Sequence, residues 1–363
     1  MKMQNSRLTS LFQRLETRQI GEKYVRRVAL PAWWNDEIAQ SEMGFAQMAS
    51  YIAAKLGLDV SSLLSEGPIG FAPRQTAWKK PVNASIESLE VEGAIASQTA
   101  QIAIEATPEG AEKMPATAAQ WRERLLSRGE KVTFEALLDA CWEVGIAVLT
   151  LTGDALPTPK KGRPHGLAAR FDGRDAVVLM GGAEHKHTAW QLFRLAHEVG
   201  HIARGHLGGE GVIFDEKIWE NQSDPQEIEA DQFAVELLFG REKMNIRTKV
   251  GQPWMSAEVL ATHMGSLSQK FCVEPGAIAL NWARTMASPG CGQNCWATAN
   301  GAIATLPAVN AHDLIRARLE ANLDWDELDA EQAAFVRRVN QLEAPAPFSR
   351  VPAKAWTKVA VAA

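Results

Sequence analysis

The sequence predicts an α+β chain, mainly helical, in which a small β-sheet beside one long helix is flanked by helical N- and C-terminal regions. Three observations carry this. Amphipathic windows with apolar residues every three to four positions occur before residue 145 and again after Gly240. The β signals gather in one stretch, an apolar run followed by a hairpin, between residues 145 and 180. The segment 188–206 then contains no proline and keeps Trp190, Phe193, Leu195, Val199 and Ile202 for burial, so it reads as one continuous helix.

Residues 1 to about 90 form the first unit. Val28 to Trp34 is an aromatic cluster ahead of a helix expected to start near Asn35, and residues 45–56 read as another amphipathic helix closed by Gly57. Residues 52–64 carry a weak likeness to the end of a helix-turn-helix repressor domain, and a capped turn explains them as well. Trp33 and Trp34 lack the surrounding Lys and Arg of a base-stacking platform and are read as packing anchors. Residues 94–106 are a further helix. Residues 107–119, with Pro108 and Pro115, read as a connection, which puts a boundary near 118.

Past that boundary, residues 121–127 and 134–142 are expected to be helices, the second capped by Thr133. Residues 145–151 form a buried strand, and 166–171 and 176–180 form a hairpin across Asp172-Gly173-Arg174-Asp175. After Gly240, residues 257–271 and 275–286 are two helices across a short turn. The second carries Arg284 as its one base-contacting type, which favours packing over DNA reading. Beyond 286 comes a third unit, with amphipathic helices at 313–321 and 327–342, then a proline-rich coil and a small apolar tail.

Length and charge narrow the class. A chain of 363 residues suggests two or three domains, and 46% hydrophobic residues suffice for a core. A net charge of −5 and a pI near 6.0 argue against a general nucleic-acid binder. The polar first twenty residues, the lack of an eighteen-residue apolar run and the four unevenly spaced cysteines point to a cytoplasmic protein without membrane span or disulfide framework.

The chemistry centres on His197-Glu198-Val199-Gly200-His201. In a helix, residues four apart share a face, so His197 and His201 can reach one metal ion with Glu198 beside them. A catalytic zinc takes three protein ligands and leaves one position open for water, whose proton Glu198 would take. The metzincin pattern fails here, because Arg204 stands at its glycine position and Leu207 at its third histidine. The third ligand is therefore expected from a second helix, 226–238, whose apolar side is Ala230, Phe233, Ala234, Leu237 and Leu238 and which carries Glu227, Glu229 and Asp231.

These residues resemble the ImmA/IrrE family of zinc metallopeptidases. The likeness rests on Phe193-x-x-Ala196-His197-Glu198-x-Gly200-His201, on Glu227-x-x-Ala230-Asp231-x-Phe233-Ala234 with Leu237-Leu238, and on a helix-turn-helix-like tail around Phe271-x-Val273. It spans about residues 120 to 285. It implies a minimal zincin-like metallopeptidase domain over 119–286, with one zinc held by His197, His201 and Glu227, and with Asp231 orienting a ligand histidine. Glu229 competes for the third position, but two residues from Glu227 it points to another side of the helix. The resemblance also implies a specific protein substrate, a helix-turn-helix repressor or an antitoxin, in stress or mobile-element regulation.

Several residues stay open. Both tyrosines, Tyr24 and Tyr51, lie in the N-terminal unit, so the oxyanion donor would be a histidine: His165, His187 or His185. His206 reads as a helix C-terminal residue facing the dipole, and Lys160 to Arg163 as a solvated basic turn. Cys291, Cys295, Cys272 and His263 would make an unusual second metal site, and two cysteines in a turn are commonly small buried hydrophobes. The alternative to a peptidase is a non-cleaving regulatory protein with structural zinc, such as a toxin-antitoxin or phage-defence component. Glu198 argues against it, since a structural site needs no base.

Overall fold

In the computed structural model the residues described are 2–72, 86–157, 165–181, 186–215, 224–248, 255–287 and 293–342. Among them, fourteen α-helices surround one four-stranded sheet, an α+β and mainly helical architecture. The strands are β1 (Ile146–Thr152), β2 (Gly166–Phe171), β3 (Arg174–Gly181) and β4 (Gly211–Asp215), in the order β1-β3-β2-β4. β1 runs parallel to β3, and the other two pairs are antiparallel.

The hairpin is tighter than the sequence suggested. Asp172 and Gly173 both take positive φ, 51° and 73°, so two residues suffice for the turn and Phe171 pairs directly with Arg174. Paired positive φ values give a primed turn, whose twist matches that of the strands. β3 thereby gains two residues at its start. β4 was not anticipated at all, because five residues between glycine-rich and polar neighbours leave too short a pattern to read.

Central strand residues such as Val148, Ala168, Val177 and Val178 are fully buried, so both faces of the sheet are covered. One cover is α5 (Ile86–Glu105), which packs on β1, β2 and β3. Such a helix must be apolar nearly all round, and Ile95, Ala96, Thr99, Ala100, Ile102 and Ala103 are all buried. The other face carries α7 (Phe134–Glu143), α8 (Thr188–Ala203) and α13 (Ala311–Asn322). Thus helices from before residue 118 and after residue 286 both contribute to enclosing the sheet.

The expected helix near Asn35 is replaced by a single 3-10 turn at Ile38–Gln40, and α3 (Glu42–Leu56) starts at Ser41, whose hydroxyl accepts the Gly44 N–H. Trp34 packs against the core, but Trp33 is half exposed and meets the rings of Trp34 and Tyr51 edge-on or tilted at about 6 Å, so only one of the pair is an anchor. Residues 295–303 form α12 (Cys295–Ile303), which the sequence reading did not place; it starts at Cys295, expected in a turn, because Asn294 caps it. The proline-rich coil and apolar tail fall outside the described residues. No helix among the described residues is long and apolar enough to cross a membrane.

The start of α11 (Pro275–Met286) is tied to the segment before α7. In α10 (Ala257–Phe271) and α11 the boundaries match the periodicity, and Glu274 begins α11. Its backbone N–H donates to the Val132 carbonyl while its carboxylate accepts from the Phe134 N–H. Burial pushes the Glu274 carboxyl up to about 7, partly opposed by that hydrogen bond. A carboxyl whose pKa is raised by folding stabilises the fold below its unfolded pKa, and that contribution is lost as pH rises through about 7. The full effect is at most about 3 kcal/mol. Glu274→Gln should therefore flatten the loss of Tm between about pH 5 and 8 and raise Tm at the upper end. Parallel Tm profiles for both proteins would dismiss this role.

Candidate metal centre

Helix α8 is the spine of the site. His187 caps its start by accepting the Ala189 N–H at Nδ1, and the helix is buried from Gln191 to Ile202. Its neighbours are β2 and β3, α7, α11 and α9 (Pro225–Phe239). α9 begins with Asp224 as cap and Pro225 in the first turn, where proline's missing N–H costs nothing. Glu227 also sits in that first turn, where a helix N-terminus favours a carboxylate. Gly200 is what lets the two helices meet. A Cβ there would lie 3.2 Å from the Ala230 backbone and from the Phe233 Cβ.

This close approach brings Glu227 to the two histidines. His197 Nε2 lies 3.1 Å from His201 Nε2 and 3.3 Å from Glu227 Oε2, and His201 Nε2 lies 3.5 Å from Glu227 Oε1. Both imidazoles are fully buried and Glu227 nearly so. An ion with tetrahedral ligands at about 2.0–2.1 Å spaces its ligand atoms about 3.3–3.4 Å apart. The three distances, which take in both Glu227 oxygens, bracket that value, and the cluster could hold a metal ion.

Donor chemistry agrees. His197 Nδ1 lies 3.0 Å from Asp231 Oδ1, and a carboxylate can only accept, so the His197 proton sits on Nδ1. Its Nε2 then turns a lone pair toward the Glu227 carboxylate, a conflict that a cation removes. Asp231 is itself held, because Arg284 of α11 donates to its Oδ2 at 2.8 Å. The Arg284 guanidinium lies over the Phe193 ring, 5.8 Å from its centre, and burial pushes its pKa down against the opposing pull of Asp231. Arg284 was read from sequence as a packing-helix cation, and its partner 53 positions away was not legible.

Glu198 is fully buried one residue from His197, on the side of α8 that faces β2. Gly166, the first residue of β2, lies directly against its carboxylate, and a Cβ built there would overlap Oε1. The strand therefore comes as close to the general-base candidate as a backbone can.

Other expected residues sort differently. His206 is not simply a dipole partner: its Nδ1 lies 2.9 Å from His201 Nδ1 and its Nε2 3.0 Å from Glu229 Oε2. Glu229, the competitor for the third ligand position, is thus turned to His206 instead of the metal cluster. His165 precedes Gly166 and its carbonyl accepts the Met180 N–H, so it stands at the strand end nearest Glu198. His187 stands away from the cluster, contrary to expectation. As the cap of α8 it lies ten residues before His197, about 15 Å along the helix. Its ring is occupied by capping, and burial pushes its pKa down. It cannot be an oxyanion donor at this centre. His185, the Lys160 to Arg163 turn and Cys291 fall outside the described residues. Among the described residues, Cys272, Cys295 and His263 do not gather into a second metal-binding group.

Residues 168–282 match the family model of the IrrE N-terminal-like domain, Peptidase_M78. Over this stretch the chain is similar to the IrrE-like family, in line with the resemblance read from its motifs. The match takes in both metal-cluster helices and the first two turns of α11, so Arg284 lies just past its end and Gly166 just before its start. The family is one of peptidases, and the IrrE-like domain here places a buried His-His-Glu cluster within it. No curated protein and no solved structure matches the chain.

Proposed function

We propose that the protein is a zinc-dependent metallo-endopeptidase of the HExxH, gluzincin-like type. The observation that carries this is the buried triangle of His197, His201 and Glu227 with the Glu198 carboxylate fixed beside it. Two imidazoles and one carboxylate suit zinc and leave a position for water. The chemistry zinc supplies when bound is Lewis acidity toward a water molecule and the scissile carbonyl. Glu198 takes the proton of the attacking water and returns it to the departing amine nitrogen. Its buried position against Gly166 keeps the carboxylate from swinging away. His165, at the end of β2, is the remaining donor candidate for the developing oxyanion.

We assign catalysis to residues 119–286, with 1–118 and 287–363 contributing recognition, in a cytoplasmic protein. The resemblance to ImmA/IrrE proteins supports a specific protein substrate, a helix-turn-helix repressor or antitoxin, in stress or mobile-element regulation.

The deciding experiment is metal content per chain by plasma mass spectrometry on wild type and Glu227→Ala, with circular dichroism to verify folding. About one zinc in wild type and clear loss in the folded variant are expected. Equal occupancy in the two proteins would remove Glu227 from the ligand set and with it this reading of the site.

A further inference from the structure

The two ligand histidines are held from behind by unlike partners. Behind His197 stands Asp231, anchored by Arg284. Behind His201 stands a second histidine, His206, whose ring is 5% exposed and whose far nitrogen meets the half-exposed Glu229. We propose that His206, backed by Glu229, is a positioning residue that fixes the tautomer and ring orientation of His201. The proposal rests on the metal-site reading above and adds to it the residue pair that prepares one ligand.

Glu229 offers only acceptors, so His206 must carry its proton on Nε2, 3.0 Å away. The neutral His206 ring then presents a lone pair at Nδ1. His201 Nδ1, 2.9 Å from it, must therefore be the donor. With its proton on Nδ1, His201 has a lone pair at Nε2, and Nε2 is the atom that faces His197 and Glu227. With the His206 ring neutral, any other proton placement sets two N–H groups or two lone pairs against each other at the Glu229 or the His201 contact. The chain of three groups thus admits one arrangement, and it is the one a metal ligand requires.

Local backbone geometry delivers His206 to this place. Helix α8 ends at Ala203, Gly205 takes φ 73°, and the His206 N–H returns to the His201 carbonyl at 3.0 Å. The positive φ turns the chain back over the last helical turn, a conformation that glycine adopts without strain. The His206 ring then lies against His201, 5.0 Å between ring centres. Glu229 reaches it from α9 because it lies two residues beyond Glu227, on another side of that helix.

The test compares wild type, His206→Ala and His206→Asn by zinc affinity in chelator competition. It adds ring-nitrogen NMR shifts of His201 in the zinc-loaded and metal-free proteins. Asparagine places an accepting oxygen where the imidazole Nδ1 stood. His206→Ala should weaken zinc binding tenfold to a hundredfold, the range for losing such a partner, and should lose the Nδ1–H tautomer signature. His206→Asn should recover most of both. Affinity unchanged in His206→Ala, or equal losses in Ala and Asn, would overturn the role, the latter by pointing to packing alone. A wild type that binds no zinc would instead sink the metallopeptidase reading, while the metal-free NMR tautomer would still decide this one.

Discussion

Glu198→Gln is expected to lower peptide cleavage about 10²–10⁴-fold, the usual contribution of a positioned general base, with zinc content unchanged. Gln keeps the shape and fills the same buried space, but its amide cannot take a proton from water. The site explains why the two effects separate. Glu198 faces β2, whereas the metal cluster is built from His197 and His201 one turn apart on α8 and from Glu227 on α9. A quenched fluorogenic peptide library, read beside metal analysis, measures both quantities on one preparation. Cleavage at the wild-type rate by Glu198→Gln would falsify the general-base role. Joint loss of metal and activity would show instead that Glu198 supports the cluster. Unchanged metal with no cleavage by either protein would favour the non-cleaving regulator.

A second large effect is expected where no chemistry resides. Gly166→Ala places a methyl group into the Glu198 carboxylate, and the backbone at Gly166 is bound into both neighbouring strands, opposite Leu179 and Asp215. Neither side can yield cheaply. The carboxylate is the more mobile partner and should move, and a displacement of about 1 Å at a catalytic group can cost on the order of 10²-fold in rate. Overpacking should also cost about 1–3 kcal/mol of stability. A double-mutant cycle isolates the cause. In a Glu198→Ala background the added methyl group meets no carboxylate, so the stability penalty of Gly166→Ala should largely vanish. A penalty of the same size in both backgrounds would place the clash elsewhere along β2.

The candidate metal centre was partly legible because its first half is local. A spacing of four residues on a helix puts His197 and His201 on one face whatever surrounds them, and Glu198 follows by adjacency. Helices α8, α9, α10 and α11 were legible for the same reason, since their apolar periodicity and caps lie within the segment itself. The Asp172-Gly173 pair marked the hairpin. Where the pattern was short, as in β4 and α12, or where burial ran all round a helix, as in α5, sequence gave little or imprecise warning.

By itself, then, the sequence determined the two histidines, the adjacent glutamate and the helices that carry them, because helical period and capping act over a few residues. Glu227 needed the family likeness as well, since spacing separates it from Glu229 without saying which of them meets the metal. Only the tertiary structure decided the rest. It turned Glu229 to His206, set Arg284 behind Asp231 and laid Gly166 against Glu198. Each of these depends on how closely two elements distant in the chain can dock. That distance is set by small residues such as Gly200 and Gly166, whose importance lies in the side chains they lack.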